Sequence, residues 1–140
     1  MEAVYMRIAI VSVPRQRRGI PDYVTSLAKG MESMGHRVDI VDAWTEDGMR
    51  LPGYEYIVVV AESIGYFSGK IPEPVSKVLS AGSSLGGKKS AAFVKKGNLF
   101  VSRTLFNLMK AMEKEGMAIN WSEIILSAPH AEALGKRIGA

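Results

Sequence analysis

Residues 56–79 read YIVVVAESIGYFSGKIPEPVSKVL, and the pattern of residues in this stretch predicts the class of fold. Its first six residues form an apolar run with four β-branched members, which is typical of a strand buried on both faces of a sheet. Residues 62–74 are rich in glycine, serine and proline and predict a loop, and residues 75–79 predict a short helix. A buried strand that leads through a loop into a helix predicts an α/β fold.

The same alternation of strand and helix extends over the rest of the chain. We predict further strands at 7–13, 37–41, 90–94 and 119–126, and further helices at 21–34, 101–116 and 130–138. Helical segments of this length between strands imply right-handed crossovers and a parallel sheet. The 140 residues therefore predict a single domain, 1–140, that forms an α/β three-layer, doubly wound sandwich around a five-stranded parallel sheet.

A doubly wound sheet also predicts where a ligand binds. The ligand lies beyond the carboxyl ends of the strands, at the point where the strand order reverses. Three predicted loops meet this condition, at residues 14–20, 62–70 and 95–100. We therefore expect the binding site to be built from these three loops.

The composition narrows the function. The chain contains no cysteine, which excludes disulfides, thiolate catalysis and iron–sulfur ligation. No apolar run approaches the ~20 residues needed to span a bilayer, and the first residues do not form a signal peptide, so we expect a cytoplasmic location and no membrane partner. The net charge of +4 favours phosphate-bearing ligands or acidic partners. No zinc-finger spacing or RNA-binding aromatic motif accompanies this charge, so nucleic acid is not an expected partner.

Residues 56–79 resemble the flavodoxin and NADPH-dependent FMN reductase superfamily. In that superfamily the third strand is followed by a flavin-contacting loop, with a tyrosine or phenylalanine beside small residues, and then by a proline-marked helix. The link GGKK at 86–89 and the closing segment 131–138 are also similar, so the resemblance covers nearly the whole chain. It implies a flavodoxin-like fold with strand order 2-1-3-4-5 and FMN as the cofactor.

The resemblance also implies a function. We expect an FMN-binding redox protein, either an electron carrier or a small FMN-dependent oxidoreductase, in which the flavin supplies the chemistry and no side chain is catalytic. A redox partner protein or a nicotinamide nucleotide would exchange the electrons, and a homodimer would complete a second-substrate pocket in a chain this short. The alternative is a flavodoxin-like domain that has lost flavin and acts as an anion- or protein-binding module.

The first loop departs from the superfamily, which usually carries a Ser/Thr-x-Thr-Gly-x-Thr-like turn for the FMN phosphate. Here residues 12–21 read SVPRQRRGIP, without threonine and with two prolines that each lack an N–H donor. Arg15, Arg17 and Arg18 would compensate by clamping the phosphate. The same arginines would otherwise form a solvated, flexible loop, or bind a different ligand such as a nicotinamide nucleotide phosphate or an acidic protein.

The second loop contains an aromatic pair, Tyr66 and Phe67, after Gly65. These aromatics would either stack on an isoalloxazine ring or cap the end of the core. The complete set of predicted cofactor-binding residues comes from all three loops: Arg15, Gln16, Arg17, Arg18, Gly19, Ser63, Ile64, Gly65, Tyr66, Phe67, Ser68, Lys95, Lys96, Gly97 and Asn98.

Two further patterns carry no chemistry. Residues 82–89 approach a phosphate-binding P-loop, but lysine replaces the final hydroxyl residue and the motif precedes a strand, so we predict a turn. His36 and His130 lie on different connections without a carboxylate at ligand spacing. We predict both histidines to be surface or capping residues, and we expect no metal site.

Overall fold

The computed structural model describes residues 5–65, 68–81, 84–97 and 99–138. Within them strands and helices alternate along the chain as the sequence predicts. The elements are β1 (Arg7–Val13), α1 (Asp22–Ser33), β2 (Arg37–Asp42), a short 3₁₀ turn (Leu51–Gly53), β3 (Tyr56–Ala61), α2 (Pro74–Ala81), β4 (Lys89–Lys95), α3 (Val101–Lys114), β5 (Ala118–Ile125) and α4 (Ala128–Gly135).

All neighbouring strands pair in parallel, and their order in the sheet is β2-β1-β3-β4-β5. Val11 of β1 aligns with Val41 on one side and Val59 on the other. Every residue of β3 is buried, as expected for a central strand with helices on both faces. The predicted five-stranded, doubly wound α/β sandwich is confirmed.

Two hydrophobic cores lie on opposite faces of the sheet. Alternate residues of β1 point to opposite faces, as the pleat of a strand requires. Ala9 and Val11 contribute to the core beneath α2 and α3, whereas Ile8 and Ile10 contribute to the core beneath α1 and α4. Burying a valine, leucine or isoleucine side chain stabilises a fold by about 1.5–3 kcal/mol, so these two cores fix the sheet between its helices.

Helices α1 and α4 approach each other closely through glycine. A Cβ atom added to Gly30 would overlap the backbone carbonyl of Glu132, and one added to Gly135 would lie 2.9 Å from the backbone nitrogen of Met31. These contacts leave no room for a side chain at either position. The closing helix is thereby held against the helix that follows the first loop.

The beginning of α4 was predicted wrongly. The sequence predicts a helix from residue 130, but α4 begins at Ala128. Ser127 is its N-cap, with an Oγ that accepts a hydrogen bond from the His130 N–H at 3.2 Å, and Pro129 lies in the first turn, where its missing N–H costs nothing. His130 is a capping residue as predicted, because its Nδ1 accepts from the Leu126 N–H at 3.0 Å.

Of the two predicted alternatives for His36, a surface or a capping residue, the surface position is wrong, because its side chain is buried. Its Nδ1 accepts a hydrogen bond from the Met6 N–H at 3.1 Å, which places the ring proton on Nε2. Nε2 then donates to the carbonyl of Ile138 at 2.9 Å. One imidazole therefore ties the segment before β1 to the end of the last helix.

No described helix has the combination of length and apolar character that crossing a bilayer requires.

Candidate functional site

A cleft of about 420 Å³ opens at the carboxyl edge of the sheet. This volume lies within the range of about 300–1,000 Å³ that is usual for small-molecule sites. The cleft is formed by the loops that follow β1, β3 and β4, and β1 and β3 flank the point where the strand order reverses. Among the described residues, its lining consists of Arg15, Arg18, Asp22, Tyr23, Glu62, Ser63, Gly65, Lys95, Lys96 and Gly97.

The carboxylate of Glu62 organises one wall of this cleft. Its Oε1 accepts hydrogen bonds from the Arg15 N–H at 3.0 Å and from Nη1 of Arg18 at 3.2 Å. Its Oε2 accepts from Nη2 of Arg18 at 2.6 Å and from the hydroxyl of Tyr23 at 2.5 Å. The guanidinium of Arg18 thus binds the carboxylate with two parallel hydrogen bonds, the strongest geometry for this pair.

Strand pairing and one tryptophan place these groups. The N–H of Glu62 donates to the carbonyl of Val13 at 3.1 Å, which carries the β1–β3 ladder one residue beyond β3 and brings Glu62 beside the first loop. Nε1 of Trp44 donates to the carbonyl of Pro14 at 2.8 Å and holds the start of that loop. Helix α1 begins directly after Pro21 without a side-chain cap, and its first two residues, Asp22 and Tyr23, line the cleft.

The network shifts the pKa values of its members. Burial raises the pKa of Glu62, but the hydrogen bonds from Arg15 and Tyr23 and the charge of Arg18 outweigh it, so the carboxyl titrates below its usual range. Burial and the hydrogen bond to Glu62 both raise the pKa of Tyr23. Glu62 is therefore ionised and Tyr23 is a neutral donor at neutral pH.

The opposite side of the cleft is basic. Lys95 is the last residue of β4 and Lys96 follows it, and the ammonium of Lys95 lies 5.7 Å from the centre of the Tyr23 ring. In the described lining four side chains are basic and two are acidic, so the potential of the cleft favours an anion.

Solved flavodoxins share this arrangement of strands and helices. A cysteine-to-serine mutant of flavodoxin from Pseudomonas aeruginosa superposes with a TM-score of 0.72 at 13% identity, over 96% of this chain and 97% of that one. A flavodoxin from the domain Archaea gives 0.69 at 18% identity, over 94% and 96%. Oxidised flavodoxin 1 from Bacillus cereus gives 0.68 at 15% identity, over 91% and 94%.

The chain has a flavodoxin-like fold. The predicted resemblance is thereby confirmed at the level of fold and strand order. No protein-family model matches the chain, and no curated protein matches it in sequence.

Within this flavodoxin-like fold the three predicted loops converge, but not all of their residues reach the cleft. Those that line it are Arg15, Arg18, Ser63, Gly65, Lys95, Lys96 and Gly97. Gln16, Arg17 and Gly19 are exposed on the first loop outside the lining, and Ile64 and Ser68 lie beside it on the second. Tyr66, Phe67 and Asn98 fall outside the described residues, so the stacking hypothesis stays a prediction.

The second loop is closed at its base. The N–H of Ile64 donates to the carbonyl of Lys70 at 2.9 Å, and the hydroxyl of Ser68 donates to the carbonyl of Ile64 at 3.1 Å. Gly65 has a φ of 76°, a left-handed conformation that glycine adopts without steric cost. Nδ2 of Asn107 on α3 donates to the carbonyl of Gly69 at 2.8 Å and fixes the loop to its helix.

Sequence reasoning missed three residues of the lining: Asp22, Tyr23 and Glu62. Glu62 begins a loop that was expected at the site, but no role was predicted for its carboxylate. An acidic residue directly after the most apolar strand was the available indication, because a carboxylate in such a place needs a partner. Tyr23 was indistinguishable from the core residues of α1, and its ring does contribute to that core.

The cleft fits a phosphate ester in charge and in size. The cationic side chains, the Arg15 N–H and the hydroxyl of Tyr23 are suitable phosphate donors. The threonine hydroxyls of the usual flavodoxin turn have no counterpart in the first loop. Among the described residues no group of histidine, aspartate or glutamate side chains could hold a metal ion.

Proposed function

We propose that this protein binds FMN in the carboxyl-edge cleft and exchanges electrons with a protein partner. The observation that carries the proposal is the cleft itself, in which loops after three strands bring Arg15, Arg18, Lys95 and Lys96 together at the switch point of a flavodoxin-like sheet. A basic cleft at this place is suited to a nucleotide-like ligand with a terminal phosphate.

The residues of the chain would bind and orient the cofactor. The arginines of the first loop, together with Lys95 and Lys96 at the end of β4, would hold the phosphate. Ser63 and Gly65 would lie against the flavin ring. The predicted stacking of Tyr66 or Phe67 would complete the ring site. When bound, the flavin supplies the acceptance and donation of electrons, so no side chain is required as a nucleophile or base.

The rim of the cleft supports a protein partner with an acidic surface. In the described part of the chain, four loops at the carboxyl edge each expose one large apolar side chain, and Leu99 is the most exposed at 89%. The other three are Ile20, Ile64 and Leu126. Apolar side chains among arginines and lysines suit an interface that excludes water at its centre and attracts opposite charge at its edge. A nicotinamide nucleotide partner and a homodimer stay predictions.

The test compares FMN with riboflavin, which lacks only the phosphate, by calorimetry at two salt concentrations. We expect FMN to bind at least roughly tenfold more tightly, because one charge-assisted phosphate contact contributes about 1.5–3 kcal/mol. Lys95→Ala should reduce this preference roughly threefold to tenfold, and less at high salt. Lys89→Ala removes the same charge from the other end of β4 and should change nothing. Equal binding of FMN and riboflavin to the wild type would contradict the proposal.

A second candidate function is a binding module without flavin. It is favoured by the engagement of Glu62 with the Arg15 N–H and the Arg18 guanidinium, donors that would otherwise be available to a phosphate. The absorbance of the purified protein separates the two functions. Flavin bands, present on purification or after addition of FMN, support the redox protein, and a colourless protein that cannot be reconstituted supports the module.

A further inference from the structure

The donors around Glu62 form a complete set for an anion. They comprise a backbone N–H from Arg15, two guanidinium N–H groups from Arg18 and the hydroxyl of Tyr23. Backbone amides, a bidentate arginine and a hydroxyl are the groups with which proteins bind phosphate. Both oxygens of the Glu62 carboxylate are engaged, so these four donors are already occupied by a side chain of this chain.

We propose that Glu62 is an internal ligand of the first loop and determines its specificity, because a phosphate ester can take these donors only by displacing the carboxylate. The inference rests on the proposed function for the identity of the ligand's phosphate. It adds that the free protein carries its own anion at the place where that phosphate would bind.

The position of the pair permits displacement. The side chain of Glu62 is 12% exposed and that of Arg18 is 37% exposed, and both line the open cleft. An arginine that is exposed to this extent can exchange one anion for another without crossing the core.

Displacement has a consequence for selectivity. A tethered carboxylate competes at a high effective concentration, on the order of millimolar or more for a short connection. Free inorganic phosphate has no other contacts with which to overcome it. A phosphate ester whose organic part is also bound in the cleft does have such contacts. Glu62 would therefore exclude small anions while admitting the complete ligand.

The experiment uses inorganic phosphate as the probe and calorimetry of the full chain. Glu62→Ala vacates the donors and is expected to bind phosphate at least tenfold more tightly than the wild type. Asp22→Asn removes a charge from the same cleft without freeing these donors, and only the few-fold gain of a screened charge is expected. Glu55→Ala is the matched control at the other edge of the sheet, where Glu55 accepts from the Arg7 N–H at 3.1 Å, and phosphate affinity should not change.

Two results would overturn the inference. One is a gain in phosphate affinity in Glu62→Ala that is no larger than the gain in Asp22→Asn. The other is the absence of phosphate binding in Glu62→Ala. If Glu62→Ala does not fold, Glu62→Gln keeps the shape of the side chain and removes its charge; its amide oxygen still accepts from some of these donors, so a smaller gain in phosphate affinity is expected, but one larger than that of Asp22→Asn. Thermal unfolding with and without phosphate gives a second readout, because a ligand raises the Tm only of a variant that binds it.

The outcome is independent of the test with flavin. A wild type that binds no FMN would defeat the proposed function, yet a Glu62→Ala variant that gained phosphate affinity would still support the internal ligand. Conversely, a wild type that prefers FMN over riboflavin would support the proposed function even if Glu62→Ala gained nothing.

Discussion

One polar side chain ties separate segments together at each end of β1, and the two ties differ in kind. At the amino end, buried His36 joins the Met6 N–H to the Ile138 carbonyl. At the carboxyl end, Glu62 joins the first loop to the end of β3 through Arg15, Arg18 and Tyr23. The first tie connects neutral groups inside the protein. The second connects charged groups along the wall of a cleft.

The difference indicates which polar cluster can serve as a site. The partners of His36 are one N–H and one carbonyl of the backbone, joined by a buried imidazole. The partners of Glu62 are donors that an incoming anion could take over, and the cleft beside them is large enough to hold its organic part. Burial of a polar residue is therefore not evidence of function by itself. Hydrogen-bond donors that an incoming anion can take over, next to a cavity, do provide such evidence.

The largest effect on stability is expected at the amino end. His36→Ala leaves the part-buried Met6 N–H and the buried Ile138 carbonyl without their partner, which should lower the free energy of unfolding by about 2–3 kcal/mol. His130→Ala is a suitable control because His130 is half-exposed and water can replace its bond to Leu126. We expect about 1 kcal/mol or less there in urea unfolding. Equal losses in the two variants would refute the structural role of His36.

A smaller effect, and one that depends on pH, is expected at the carboxyl end. The pKa of Glu62 is lowered in the folded protein from its usual value of 4.5. Its contribution to stability is therefore complete above about pH 4.5 and is lost as the pH falls through the lowered pKa. The wild type should exceed Glu62→Gln by about 1–2 kcal/mol in free energy of unfolding at pH 7.

This difference should shrink on acidification below pH 4.5, and urea unfolding at a series of pH values measures it. The control variant is His36→Ala, at the other end of β1, because it leaves the hydrogen bonds of the Glu62 carboxylate in place. A difference between wild type and Glu62→Gln that stays constant from pH 7 to pH 3 would mean that the network does not stabilise the ionised carboxylate.

The smallest effect is expected at Arg17, which shares the first loop and the charge of its neighbours. Arg17 is exposed and lies outside the cleft lining. Arg17→Ala should change stability by less than about 0.5 kcal/mol and FMN affinity by no more than a screened surface charge does. A loss as large as that of Arg18→Ala, measured by FMN titration, would mean that the whole loop closes on the ligand.

The sequence predicted the sheet well because its strands are marked locally. The runs at 7–13 and 56–61 are rich in β-branched residues, and β1 and β3 have these bounds. The first residue of α4 was predicted wrongly, although it is also marked locally: Ser127 caps the helix and Pro129 lies in its first turn. Each of these features depends on neighbours in the chain.

The ties at the two ends of β1 could not be predicted in the same way. His36 and Ile138 are 102 residues apart, and Arg18 and Glu62 are 44 apart. Their meeting depends on the order of strands and on which helix packs where. The three loops were placed correctly at one edge by the rule for doubly wound sheets. Which side chains of these loops face the cleft could be determined only from the packing in the structure.

A crystal structure of the wild type soaked or co-crystallised with FMN tests most directly whether FMN binds in the cleft and displaces Glu62. We expect flavin in the carboxyl-edge cleft, with phosphate oxygens within hydrogen-bond distance of the Arg15 N–H and the Arg18 guanidinium. We also expect the Glu62 carboxylate to be displaced from both groups. An FMN whose phosphate lies elsewhere while Glu62 keeps its present hydrogen bonds, or a cleft that stays without flavin at saturating concentration, would contradict it.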